Sequence, residues 1–293
     1  MPTYVAPLAV HLGDRVAIDE LADPIVGEHL SDLLDGGLKH CRVSDRTITE
    51  LATAVIPAPA PAPVTEPVDV VVLCTDAADD VSPSRRIVDL QRAAGLETTR
   101  CVLVGGAGCA NFLVGLDVAR GLIASGSAER VLLVTADRIT HTSRYLRAGA
   151  TVLSDGSASC LVTSAPTPGS FEVLGVAGET RCAPADSGHL SEARTALTAI
   201  RRVAGRLDAR TAGRFKHFVT PHLSVTSREL LAMGVGRRFD GDQGMASDVG
   251  HLFAGDQLIG LTNLRHTVEV DDEVLVIATS EQTWWLATLR FVG

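Results

Sequence analysis

A strand, a glycine turn, an apolar helix and a further strand occur twice in this chain at matching spacings. Gly108-Cys109 opens the run ANFLVGLDVARGLIASG, residues 110–126, and Val131 begins the next strand 22 residues after Cys109. Gly250-His251 opens GHLFAGDQLIGLTNL, residues 250–264, and Val274 begins its strand 23 residues after His251. A duplicated strand–helix pattern predicts two similar α/β halves packed together. We place them at residues 1–165 and 166–293. A pseudo-twofold between halves brings equivalent helix starts, Cys109 and His251, towards one centre.

The other segments fit this plan. VDVVVLCTD, residues 68–76, reads as a buried strand. It is followed by a helix capped by Ser82, with Pro83 in its first turn and Gly95 as its stop. Strands are expected at residues 101–108, 129–138, 215–222, 272–281 and 283–291, and helices at 190–207 and 225–234. ATVLSDGSASCLVTSA, residues 150–165, reads as a hairpin turning at Asp155-Gly156. The Pro-Ala run AVIPAPAPAPVTEP, residues 54–67, excludes helix and central strand and reads as an extended connector. Of the 293 residues 46% are apolar but only 4% aromatic, so Val, Leu, Ala and Ile must fill the core. That composition suits parallel sheets buried on both faces.

Several function classes lose support. The formal charge is −9 and no basic block occurs, which argues against nucleic acid as a partner. No apolar stretch approaches the roughly 20 residues of a membrane span, and MPTYVAPLAVHLGDR does not read as a signal peptide. Cysteines at 41, 74, 101, 109, 160 and 182 form no CxxC pair, so free thiols in a reducing cytoplasm are expected. No His/Cys spacing suits a metal.

Cys109 follows a strand and a glycine turn and sits at the first turn of a helix, where exposed N–H groups and the helix dipole favour a thiolate. A cysteine at a helix start is also an ordinary packing residue. His222 in TPH and His251 occupy strand-to-helix junctions, the edge where α/β proteins place their sites. A thiol with two imidazoles can support acyl transfer: the thiolate attacks a thioester, and the imidazoles stabilise an oxyanion or move a proton. Asp155 reads as a turn residue and His141 as part of a surface loop.

These residues also resemble a known family. VGGAGCANFLVGLDVARGLIASG is similar to the nucleophile region of ketoacyl synthase III, a branch of the thiolase superfamily. SDGSASCLV, TPHLSVTSREL, GHLFAGDQLIGL and TWWLATLRF resemble, in order, that family's glycine-rich hairpin, catalytic-histidine motif, asparagine motif and C-terminal strand. GGLKHCRV, residues 36–43, carries a weaker likeness. The resemblance spans residues 68–293. It implies a five-layered αβαβα thiolase fold, a homodimer paired through the sheet edge at residues 101–105, and no permanently bound cofactor. The substrate would be acyl-coenzyme A or a phosphopantetheinyl acyl-carrier protein. It further implies that Cys109 carries the acyl thioester and lends its N–H to an oxyanion hole, and that His222 is the catalytic histidine. Ser280 would supply the second oxyanion N–H and Arg147 would contact coenzyme A.

The departures matter as much. His251 stands in place of the family asparagine, Ser82 in place of a bulky aromatic, and TSEQTW in place of a glycine-rich stretch. The N-terminal tryptophan that stacks on adenine is missing, and the Pro-Ala run replaces a helix. These changes point to specialised metabolism. They leave open Claisen condensation with a malonyl-type thioester and direct transfer to a hydroxyl or amine. A non-catalytic thiolase-fold partner subunit is the reading from a different class.

Overall fold

The computed structural model describes residues 1–57, 67–76, 81–140, 142–147, 150–181, 189–211, 215–236 and 245–293. Residues 58–66 of the Pro-Ala run, His141 and Cys182 lie outside the described residues.

Strand residues alternate between two cores. In Val70–Cys74 every residue is buried, as a parallel strand covered on both faces requires. Val70, Val72 and Cys74 turn into a central core, while Val71 and Leu73 turn into an outer one. In Glu273–Thr279, Val274, Val276 and Ala278 face that same central core, and Leu275 and Ile277 face a second outer core.

Helices fill the layers thus defined. Ile48–Ala54 and Pro83–Ala94 cover the outer face of the first half. His189–Thr211 and Val225–Gly234 cover the outer face of the second. Asn111–Ala124 and Asp256–Leu264 lie between, touching strands of both halves. The result is the five-layered thiolase arrangement that the repeat and the resemblance imply.

Among the described residues nine strands share one hydrogen-bonded order: Phe215–Val219, Glu273–Thr279, Thr283–Phe291, Phe171–Thr180, Tyr4–Leu12, Gly156–Thr163, Arg130–Asp137, Val70–Cys74 and Arg100–Val104. The four strands that follow residue 166 are contiguous in this order, and so are the five that precede it. The two β layers of the five-layered arrangement join at one corner of this order. Tyr4 and Val5 pair with Glu172 and Phe171 on one side and with Thr163 and Val162 on the other.

Local signals act as read at the helix Pro83–Ala94. The Ser82 side chain accepts from the Arg85 N–H, and Gly95 closes the helix with φ of 66°. The Asp155-Gly156 turn is not formed. Thr151–Val152 pairs instead with Tyr145–Leu146, and the chain runs on through Asp155 into Gly156–Thr163. Asp155 is fully buried: it accepts from the Ser44 and Ile139 N–H groups at 2.8 Å each and from both terminal nitrogens of Arg144. Among the described residues no helix is long and apolar enough to cross a membrane.

The central helix approaches its strand most closely at Gly115. A Cβ there would lie 2.5 Å from Cys74 Sγ and 3.3 Å from Leu133 Cδ1. Gly115→Ala is expected to lower stability by about 1–3 kcal/mol through overpacking. Adding Cys74→Ala removes the clashing sulfur, so the double variant should be more stable than the sum of single effects predicts. Urea midpoints of the four proteins test this; strict additivity would refute it.

Candidate active site

The nucleophile loop is pinned before the helix begins. Gly106 and Gly108 adopt φ of 82° and 57°, which places Cys109 in a single 3-10 turn ahead of Asn111–Ala124. Asn111, fully buried, accepts from the Ala107 N–H at 3.1 Å and donates to the Thr75 carbonyl at 3.2 Å. It thereby ties the loop to the end of the neighbouring strand. Cys109 is 8% exposed. Its N–H belongs to the first turn, where donors have no intrahelical partner.

His251 reaches the sulfur: its Nε2 lies 3.0 Å from Cys109 Sγ. Its backbone is clamped on both sides. The His251 N–H donates to the Val152 carbonyl, and its own carbonyl accepts from the Ser154 N–H, each at 2.8 Å. The other ring nitrogen, Nδ1, hydrogen-bonds the Asp256 carboxylate. A nucleophile, an imidazole and a buried carboxylate therefore stand in line, an arrangement that orients the ring and stabilises its charged form.

Asp256 opens the helix Asp256–Leu264 and is fully buried. Its oxygens accept the Leu252 N–H at 2.7 Å and the His222 N–H at 2.6 Å, besides both imidazoles. His222 Nδ1 lies 3.0 Å from Asp256 Oδ1 and 3.0 Å from the Gly250 carbonyl. Two acceptors on one nitrogen mean that Nδ1 carries a proton, which directs His222 Nε2 away from them. His222 thus joins Cys109 indirectly, through the shared carboxylate; among the described residues it makes no hydrogen bond to the sulfur.

The charges support one another. Burial pushes the His251 imidazolium towards neutrality, but the Cys109 thiolate and the Asp256 carboxylate outweigh it and raise its pKa well above the ordinary histidine value. Burial likewise pushes the Asp256 carboxyl up, and the His222 and His251 imidazoles hold it well below the usual carboxylate range.

Two site expectations change or stay peripheral. Ser280 does lie against the nucleophile loop, since a Cβ on Gly108 would sit 2.9 Å from Ser280 Cβ. Its N–H, however, donates to the Thr283 carbonyl at 2.8 Å and is not free to serve as the second oxyanion donor. The turn into the strand Thr283–Phe291 consumes it. Arg147 is exposed and directly follows Leu146, which packs against the apolar group at Cys109. Reasoning from sequence missed Asp256, although it lies only five residues after His251.

A group of apolar side chains surrounds the sulfur: Leu153 and Phe253 are buried beside Cys109, and Ile139 and Leu146 pack against them.

The sequence profile of 3-oxoacyl-[acyl-carrier-protein] synthase III matches residues 106–180. The β-ketoacyl-[acyl-carrier-protein] synthase III of Chlamydia pneumoniae is 26% identical over 258 residues, which cover 76% of this chain and 75% of that protein. Among solved structures, the acyltransferase ChlB3 superposes with a TM-score of 0.79 at 16% identity, over 100% of this chain and 98% of that one. Acetamide-bound OleA of Xanthomonas campestris superposes with a TM-score of 0.80 at 12% identity, over 99% of both chains.

Removing the shared carboxylate should show in stability against pH. Asp256 has a depressed folded pKa, so its contribution is present above the unfolded value of about 3.9 and is lost as pH falls through the folded one. His251 has a raised folded pKa, so its contribution is full below about 6.5 and is lost as pH rises through the folded value. Asp256→Asn is expected to cost about 3 kcal/mol near neutral pH. The deficit should shrink below pH 4, and the alkaline loss of stability should become smaller and be complete at lower pH, because the folded His251 pKa falls towards the unfolded one. Denaturant midpoints from pH 3 to 10 check this; a pH-independent deficit would refute the coupling.

Proposed function

We propose, for a chain that is a ketoacyl synthase III-like member of the thiolase superfamily, an acyl transfer in which Cys109 takes an acyl group from a thioester and His251 directs it to a hydroxyl or amine without decarboxylation. The observation that carries this reading is the line Cys109–His251–Asp256, with 3.0 Å between sulfur and imidazole.

The steps balance. The Cys109 thiolate attacks the thioester carbonyl, and the His251 imidazolium gives its proton to the departing thiolate. The products are acyl-Cys109, a free thiol and neutral His251. Acylation removes the negative charge from the sulfur, and with it one of the two charges that raise the His251 pKa. The neutral imidazole can then accept the proton of an incoming hydroxyl or amine as that group attacks the acyl-Cys109 carbonyl. Collapse of the tetrahedral intermediate restores the thiolate–imidazolium pair. Asp256 keeps the ring oriented throughout and compensates the imidazolium. A decarboxylative condensation would instead use the imidazoles as donors to an enolate oxygen, and release of carbon dioxide separates the two reactions. The Cys109–His251 contact argues against a non-catalytic partner subunit.

The Cys109 N–H is the first oxyanion donor in this reading. The acyl donor is an acyl-coenzyme A or an acyl-carrier protein, with no cofactor held permanently. Arg147 is the candidate contact for coenzyme A, and its exposure suits a mobile substrate arm. We further propose a homodimer, because Arg100–Val104 ends the strand order with one edge unpaired and with half-buried Cys101, Val102 and Leu103. A place in specialised metabolism follows from the departures noted in the sequence, and a reducing cytoplasm from the free thiols of Cys41, Cys74, Cys101, Cys109 and Cys160.

Intact-protein mass after incubation with acyl thioesters should show one adduct, absent in Cys109→Ala. His251→Ala should slow adduct formation by about 10²- to 10⁴-fold. Transfer to an acceptor should release no carbon dioxide. Carbon dioxide in step with product would replace this reading with condensation on a malonyl-type thioester, and an adduct that persists in Cys109→Ala would remove Cys109 as nucleophile.

A further inference from the structure

Phe253 adopts a backbone conformation that its side chain disfavours. Its φ is 48°, in the left-handed region where a bulky residue is strained and glycine is not. The surrounding contacts enforce it. The Leu252 N–H is held by Asp256 Oδ1 at 2.7 Å, the Gly255 N–H by the Leu252 carbonyl at 2.8 Å, and His251 is clamped to Val152 and Ser154. Glycine would meet every one of these backbone demands without strain, so they do not account for the phenyl ring.

The ring has two neighbours that matter. It stacks on His251 with ring centroids 6.1 Å apart and planes inclined by 22°. It also belongs to the small apolar group of Cys109, Leu153 and Phe253, with Ile139 and Leu146 packed around it. These three members retain 8, 7 and 8% of their exposure, so none of them is sealed completely from solvent. An acyl chain joined to Cys109 Sγ must find its apolar lining there. Its carbonyl is committed to the polar side of the sulfur, where the Cys109 N–H and His251 lie.

We propose that Phe253 is the specificity-determining residue for acyl size: its ring walls off the apolar recess at Cys109 and restricts it to short acyl groups. The strained backbone is the device that holds the ring in this apolar group and against His251. This inference rests on the acylation of Cys109 proposed above.

The test uses N-acetylcysteamine thioesters of acetate and octanoate, which need no coenzyme A site, with adduct formation on the full chain followed by intact mass. Wild type should take acetyl in preference to octanoyl. Phe253→Gly, which relieves the backbone strain and empties the recess, should raise the octanoyl-to-acetyl rate ratio by about tenfold or more. Phe253→Leu should give an intermediate ratio. Both rates are measured on one preparation, so the ratio does not depend on the folded fraction. An unchanged ratio in both variants, or a wild type that already prefers octanoyl, would overturn the inference while leaving Cys109 acylation intact. Failure of every thioester to modify wild type would instead sink the acyl-transfer reading on which it rests.

Discussion

One buried negative charge organises this molecule's centre. The Asp256 carboxylate has no contact with solvent, yet it stays ionised because four donors converge on it: the backbone and Nδ1 of His222, Nδ1 of His251 and the backbone of Leu252. A carboxylate moved from water to such a place is costly unless its lone pairs are filled. Two donors come from His222 in the loop after Phe215–Val219 and two from the consecutive residues His251 and Leu252, while the carboxylate itself opens the helix Asp256–Leu264. Satisfying one charge therefore fixes three segments relative to each other. It also fixes which nitrogen of each imidazole is left for chemistry.

The opposing half supplies the sulfur, by an independent device. Asn111 holds the Cys109 loop against Thr75, and Gly115 lets the helix behind it press onto Cys74. The two central helices thus carry the reacting groups from opposite directions. The 3.0 Å contact between His251 and Cys109 is where the two sets of braces meet, that of His251 itself running through Val152 and Ser154. Neither half is complete as a site alone, because the nucleophile belongs to one and its imidazole and carboxylate to the other.

Features fixed within a few residues were legible in the sequence. Ser82, Pro83 and Gly95 bound their helix as read, because caps and left-handed glycines act locally. Cys109 stood out through its place at a strand-to-helix junction shared with His222 and His251 and through the family resemblance, since a cysteine at a helix start is by itself an ordinary packing residue. Asp256 was hidden by extrapolation: a helix drawn from Gly250 turns a residue five places on away from His251. The real helix starts at Asp256, after a turn through left-handed Phe253 that no propensity announces. Asp155 was misread for a related reason. Asp-Gly signals a turn, but its partner Arg144 sits in a stretch without periodicity, and the buried ion pair overrides the local preference. Ser280 carried a role by resemblance that its own turn hydrogen bond excludes. The strand Tyr4–Leu12 left no clear mark, since Pro7 and a register shift between Pro7 and Ala9 break its alternation.

That same strand imposes an order of events on folding. Tyr4–Leu12 occupies the middle of the hydrogen-bonded order, yet its neighbours are residues 156–163 on one edge and 171–172 on the other. Synthesised ahead of both partners, it cannot pair as in the native order until residues 156–163 have followed. Contacts of such sequence separation are slow to close, and an unpaired apolar strand is open to wrong partners meanwhile. The parallel strands Val70–Cys74, Arg100–Val104 and Arg130–Asp137 can assemble earlier. The corner where the sheet order turns therefore joins Tyr4 and Val5 to residues made more than 150 positions later and closes among the last, a topology that makes synthesis itself part of how the centre is built.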